Sequence, residues 1–117
     1  MRLKSELWVK AYIRRCSGAG SPAVVVRRGD TDAGVILIRI ARLDGSGDLY
    51  GPAPSGYVAD EGSGGRDRSF VVLASKAPDA DIDKRVASEI RLDSDLWLIE
   101  VEDRAGRAFL DGWLAKP

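Results

Sequence analysis

The sequence predicts an α+β fold: a mostly antiparallel sheet of four to five strands, with an N-terminal helix and a second helix before the last strands. Three observations predict it. Runs rich in Val, Ile and Leu recur at 23–28, 35–43, 69–74 and 96–102, set apart by clusters of Gly, Pro and Asp. Apolar residues at helical spacing occur in two places, 3–16 and about 79–91. The strand-like runs cluster instead of alternating with helices, which favours antiparallel pairing over a doubly wound sheet. Residues 1–117 are expected to form one domain. A chain of 117 residues, 44% hydrophobic and 31% charged, suits a single buried core and excludes a disordered or fibrous class.

From Leu3 to Cys16, Trp8, Tyr12 and Cys16 step by four, and so do Leu7, Ala11 and Arg15. Together they form one apolar face broken only by Arg15, while Lys4, Lys10 and Arg14 fall opposite. A strand from Leu7 to Ile13 is the rival reading, since Trp8, Val9, Tyr12 and Ile13 are good strand formers, but the placement of the basic residues favours helix. Ser5 is the candidate N-cap, and the run from Gly18 to Pro22 ends the helix. Pro22 to Leu43 then reads as a β-hairpin at the centre of the sheet, two β-branched runs around a turn at 29–34. In its second run Ile36, Ile38 and Ile40 share one face. Arg39 is a charge on the other, largely apolar face.

Asp44-Gly45 opens a turn through Asp48, and Leu49-Tyr50 starts a short strand stopped by Pro52 and Pro54. These prolines place that segment on an edge or beyond the sheet. Residues 55–68 hold four glycines and read as a mobile loop. Ser69 to Ala74 is a strand, built on Phe70-Val71-Val72-Leu73. A helix follows from about Asp79, with Ile82, Val86 and Ile90 in one stripe and acids near its positive end. Leu96 to Glu102 is the last firm strand, with Trp97, Ile99 and Val101 on one face. Two readings of the remainder stay open: a further strand at 107–110, or a short helical turn at 111–114.

Charge and residue types exclude several function classes. Lys plus Arg and Asp plus Glu are 18 each, so the net charge is zero, which disfavours a non-specific coat for nucleic acid or membrane. With no histidine, Ser–His and Cys–His nucleophile systems and His-ligated zinc are excluded. The single cysteine, Cys16, forbids an intramolecular disulfide and favours a reducing compartment. It sits on the apolar stripe and reads as a small buried hydrophobe. No run approaches the ~20 apolar residues that span a bilayer, and the N-terminus has no apolar leader segment. The expectation is a cytoplasmic protein with no membrane partner.

Several phrases occur together: 2–11 (RLKSELWVKA), 26–30 (VRRGD), 49–54 (LYGPAP) and 95–107 (DLWLIEVEDRAGR). With them the chain resembles a family of short alphaproteobacterial proteins known only as a domain of unknown function, number 1491 in that series. The resemblance covers most of the chain. It implies a bacterial cytoplasmic protein of one domain. That family has no established activity, so the resemblance transfers no catalytic or binding residue.

Asp30-Thr31-Asp32 resembles the start of a calcium loop but lacks the third alternate ligand and the terminal Glu, so no metal site is expected. Its aspartates instead suit capping of backbone N–H groups. Gly62-Ser63-Gly64-Gly65-Arg66 lacks the Lys-Ser/Thr of a phosphate loop. Glu100, Glu102 and Asp103 are expected to pair with arginines across the sheet rather than to do acid–base chemistry. No cofactor is called for, and no catalytic residue is assigned. The candidate binding residues are Arg14, Arg15, Arg27, Arg28, Arg39 and Tyr50. If one sheet face gathered Arg27, Arg39 and an aromatic, it would suit a phosphate, a carboxylate or single-stranded nucleic acid. The leading expectation is a non-enzymatic binding or adaptor protein with a protein partner, acting through a sheet edge or an apolar-aromatic surface around Trp8 or Trp113. A ligand or nucleic-acid binder using the arginines is the alternative.

Overall fold

A computed structural model describes residues 3–54, 56–59 and 68–116. Helix α1 (Ser5–Gly18) is followed by strands β1 (Ala23–Arg27), β2 (Ile36–Ala41), β3 (Ser46–Pro52), β4 (Val58–Ala59) and β5 (Phe70–Pro78). Helix α2 (Asp79–Leu92), β6 (Trp97–Glu102) and β7 (Ala115–Lys116) complete the chain. Five strands form one sheet in the order β1-β6-β2-β3-β5, and β4 pairs with β7 in a separate two-stranded ribbon. In the main sheet only the β2–β6 pair is parallel. The fold is the expected α+β class, two helices and a mostly antiparallel sheet.

The sheet is covered on both faces. Ile36, Ile38, Ile40, Trp97, Ile99 and Val101 meet Trp8, Val9, Tyr12 and Cys16 of α1 on one side. Leu37, Leu49 and Leu98 meet Ile82 and Val86 of α2 on the other. Strands β2 and β6 bury residues of both faces, so they take the centre, as their continuous apolar runs require.

The expected hairpin does not form. β1 and β2 are not neighbours, because β6 lies between them, and β1 is an edge strand. Residues 28–35 therefore bridge the end of β6 instead of turning a hairpin. Asp30 N–H donates to Asp95 O (2.9 Å), and Trp97 donates through its backbone to Val35 O and through Nε1 to Asp30 O (both 2.7 Å). The approach needs glycine: a Cβ on Gly29 would lie 2.3 Å from Asp95 O and 2.7 Å from Trp97 Cδ1. Asp30 does cap backbone as expected, accepting from Asp32 N and Ala33 N.

Helix α1 buries Ser5, Trp8, Val9, Tyr12 and Cys16. One expected stripe is correct, but Leu7 and Ala11 are exposed and Val9 takes the buried place instead. Ser5 is not the N-cap. Its N–H and that of Glu6 donate to Asp32 O and Thr31 O, and its hydroxyl donates to Gly34 O (2.7 Å), so the crossover loop satisfies the free helix N–H groups.

The β2–β3 turn is tighter than expected. Arg42 N–H donates to Ser46 O, Leu43 (φ 66°) and Gly45 (φ 89°) take left-handed conformations, and Ser46 to Asp48 already belong to β3. β3 is interior, with Pro52 at its last pair, opposite Phe70. β5 continues to Pro78, beyond the expected end at Ala74. Residues 107–110 form no strand, and 111–113 form a turn closed by Trp113 N–H on Leu110 O (2.8 Å). The expected loop at 55–68 falls largely on residues 55 and 60–67, outside the described residues.

Candidate functional site

The two edges of the main sheet differ. β5 is irregular: its pairing with β3 shifts register twice, Lys76 is left-handed (φ 48°), and its first residue Phe70 is bridged by Leu114. Such features blunt an edge. No described strand pairs with the outer side of β1. There Val24, Val25 and Val26 stand 56%, 42% and 55% exposed, three consecutive β-branched residues at the surface.

The register of β1 with β6 runs Ala23↔Val101, Val24↔Glu100 and Val25↔Ile99, and Glu102 N–H donates to Pro22 O (2.9 Å). Hydrogen-bonded and non-hydrogen-bonded pairs alternate in an antiparallel ladder. Val24 therefore turns its N–H and C=O toward β6, and Ala23 and Val25 turn theirs outward. The ladder shifts between Val25 and Arg27, leaving Val26 as the extra residue of a bulge and Arg27 opposite Leu98. Val24 and Arg27 thus share the α2 side with Leu98 and Glu100.

The start of β1 is held firmly. Ser21 Oγ donates to the buried Asp103 carboxylate (2.8 Å), which also accepts from Arg107 Nη2 (2.8 Å) and Arg107 N (2.6 Å). The Arg107 hydrogen bonds, followed by those from its backbone and from Ser21, outweigh burial and hold the Asp103 pKa at about 2.

The arginines named from sequence do not form one patch. Arg39 and Arg27 lie on the α2 side of the sheet. The Arg39 side chain is only 13% exposed and bonds Asp83 (2.5 Å) and Asp79 (3.2 Å) of α2, with Glu100 at 3.9 Å. Burial pulls its pKa down, but the bonds to Asp83 and Asp79 outweigh this and raise it. Arg27 Nη2 donates to Ser94 O (2.7 Å), while its buried Nε has no partner. Arg28 pairs with Glu6 and lies over the Trp97 ring. Arg15 stacks on Trp113, 3.9 Å from its centroid, and bonds Phe109 O and Asp111 O. Arg14 is exposed on α1, and Tyr50 pairs with Ile38 on the α1 side, where burial raises its pKa. Arg27 and Arg39 therefore share a side with each other but not with Tyr50.

Sequence reasoning missed Asp79 and Asp83 as partners of Arg39. Their four-residue spacing on a predicted helix was the available signal. It also missed Asp103 as the anchor of β1, though Asp103 and Arg107 show the same spacing. The apolar-aromatic surface divides: Trp8 and Trp97 are buried at 1% exposure, and Trp113 is partly buried edge-on to Trp8. Cys16 is buried, and burial raises its pKa. Among the described residues no group of three or more His, Cys, Asp or Glu is placed to hold a metal, and no helix is long and apolar enough to cross a membrane.

The same fold and length recur in known proteins. The family described as "Protein of unknown function (DUF1491)" matches residues 3–111. The chain belongs to the DUF1491 family. A crystal structure of a DUF1491 protein from Caulobacter crescentus is 31% identical, with a TM-score of 0.78, over 99% of this chain and 100% of that one. An NMR structure of a DUF1491 protein from the same species is 32% identical, with a TM-score of 0.77, over 99% of each chain. A solution structure from A. tumefaciens is 41% identical, with a TM-score of 0.74, over 88% of this chain and 87% of that one. No curated protein matches. The DUF1491 relatives share the fold, and the family's description assigns no activity to any residue described above.

Proposed function

We propose that this DUF1491 protein is a non-enzymatic cytoplasmic binding protein that acts by protein–protein contact through the outer edge of β1. One observation carries the reading: three half-exposed valines stand on an edge strand whose Ala23 and Val25 backbone groups point outward. An edge of this kind offers main-chain hydrogen bonds for affinity and alternating apolar side chains for selectivity. The firm seat of β1 on Asp103 and Glu102 supports it, because a pre-ordered strand loses little entropy on pairing. The buried Cys16 thiol is in keeping with a reducing compartment. The arginine reading has less support, since Asp79 and Asp83 neutralise Arg39 and Arg14 and Arg15 stand on the other side of the sheet.

The test is affinity capture from native extract with the wild-type chain and with Val25→Lys, which places a charge on the edge. Proteins held by the wild type are expected to fall at least tenfold on the variant. Equal capture by both chains, or no capture by either, refutes the reading.

A further inference from the structure

We propose that the β1 edge pairs with the β1 edge of a second copy of this chain, antiparallel about a two-fold axis through Val24. This deepens the reading of β1 as a contact edge and names its partner. The backbone selects the register. Only Ala23 and Val25 present outward N–H and C=O groups before the bulge. In a two-fold pair with Val24 opposite Val24 of the second copy, each Ala23 meets the other copy's Val25. All the outward groups of both residues are then used, in four hydrogen bonds. Shifting the axis to Val25 brings Ala23 opposite Arg27, which is beyond the bulge and turned to β6, and leaves part of that set unpaired. The chosen register also places the two exposed Val24 side chains together as a close, non-hydrogen-bonded pair.

Charge complementarity points to the same partner. In this register Val26 of one copy stands opposite Pro22 of the other, and Pro22 is seated on Glu102. Arg27, the next residue, is held by Ser94 O in the single chain; on release it extends across Pro22 toward the other copy's Glu102. Both side chains are on the α2 side of the sheet. Within one chain they stand at opposite ends of β1 and form no pair. Among the described residues the Glu102 carboxylate has no ion pair, and the Arg27 guanidinium is held only by the Ser94 carbonyl, with its buried Nε unpartnered. The two-fold axis makes this contact twice. The result is a continuous ten-stranded sheet with isologous closure, so association stops at the dimer.

The experiment is sedimentation velocity across a concentration series, with circular dichroism to confirm that each chain is folded. The wild type is expected to shift from monomer to dimer with rising concentration, with a dissociation constant in the micromolar range. Arg27→Glu alone and Glu102→Arg alone each place like charges at both corners, and each is expected to dimerise at least tenfold more weakly. Mixed in equal amounts, the two variants restore opposite charges at both corners of each mixed dimer, and dimer is expected to return. A wild type that stays monomeric at about 1 mM, the weak end of the affinity scale, or a mixture no more dimeric than its components, overturns the pairing. Such a failure leaves capture of a different protein by the Val25 edge as a separate measurement, so the two readings fail independently.

Discussion

Replacing Asp103 with Asn keeps the size of the side chain and an acceptor for Ser21 Oγ, but removes the charge that faces Arg107. The carboxyl is held at about 2 against an ordinary 3.8. A depressed carboxylate pKa contributes stability that is fully present above the unfolded value, near 3.8, and is lost as pH falls through about 2. At ~1.4 kcal/mol per pH unit, the difference corresponds to an upper figure of about 2.5 kcal/mol. Asp103 is buried, but the Arg107 side chain is 56% exposed and its charge is partly screened, which reduces the figure to about 1–2 kcal/mol. For 117 residues that corresponds to a fall in Tm of about 4–8 °C near neutrality. Urea unfolding of wild type and Asp103→Asn at pH 7, 4, 3 and 2 measures it directly. The gap is expected to stay constant from pH 7 to about 4.5 and to close toward pH 2. A gap that is the same at pH 7 and pH 2, or absent at pH 7, refutes the assignment of the shift to this contact.

Two further outcomes follow from backbone geometry. Gly29→Ala puts a methyl group 2.3 Å from Asp95 O and 2.6 Å from Leu96 C, both backbone, so it is expected to cost more than about 2 kcal/mol in urea unfolding; a cost under about 0.5 kcal/mol contradicts the close approach. Leu43 is exposed and left-handed, so Leu43→Gly is expected to stabilise by about 0.5–1 kcal/mol through relief of Cβ strain, and a loss of stability in the same assay argues against that turn.

Much of the fold was legible because each element carries its own period. The alternation of Ile36, Ile38 and Ile40, the stripe of Ile82, Val86 and Ile90, and the Trp97–Val101 alternation all match the faces they bury. What local pattern does not contain is which strand lies beside which. The valine-rich run at 23–28 reads the same for a hairpin arm and for an edge strand, so nothing within 22–43 announces that β6 separates its two halves. The Leu7 and Val9 exchange on α1 has the same origin: both fit a helical face, and tertiary packing decides between them. Arg39 was visible as an anomaly, yet its neutralising partners come from a helix about forty residues away, beyond any local rule. The β1 edge was named only as a type of surface, because exposure of three valines is a property of the assembled sheet.

The insertion of β6 between β1 and β2 also sets an order of events. β2, β3 and β5 are neighbours in the sheet and can zip together while the chain is still being made. β1, although earliest in sequence among the strands, has no sheet partner until residues 97–102 arrive. The bridge at 28–35 contacts Trp97 and Asp95 on one side and, through the carbonyls of Thr31 and Asp32, the start of the first helix on the other. Closure of the N-terminal third is therefore a late, long-range step of high contact order. During that interval both backbone edges of β1 are unpaired, and the newly made chain is most open to mispairing.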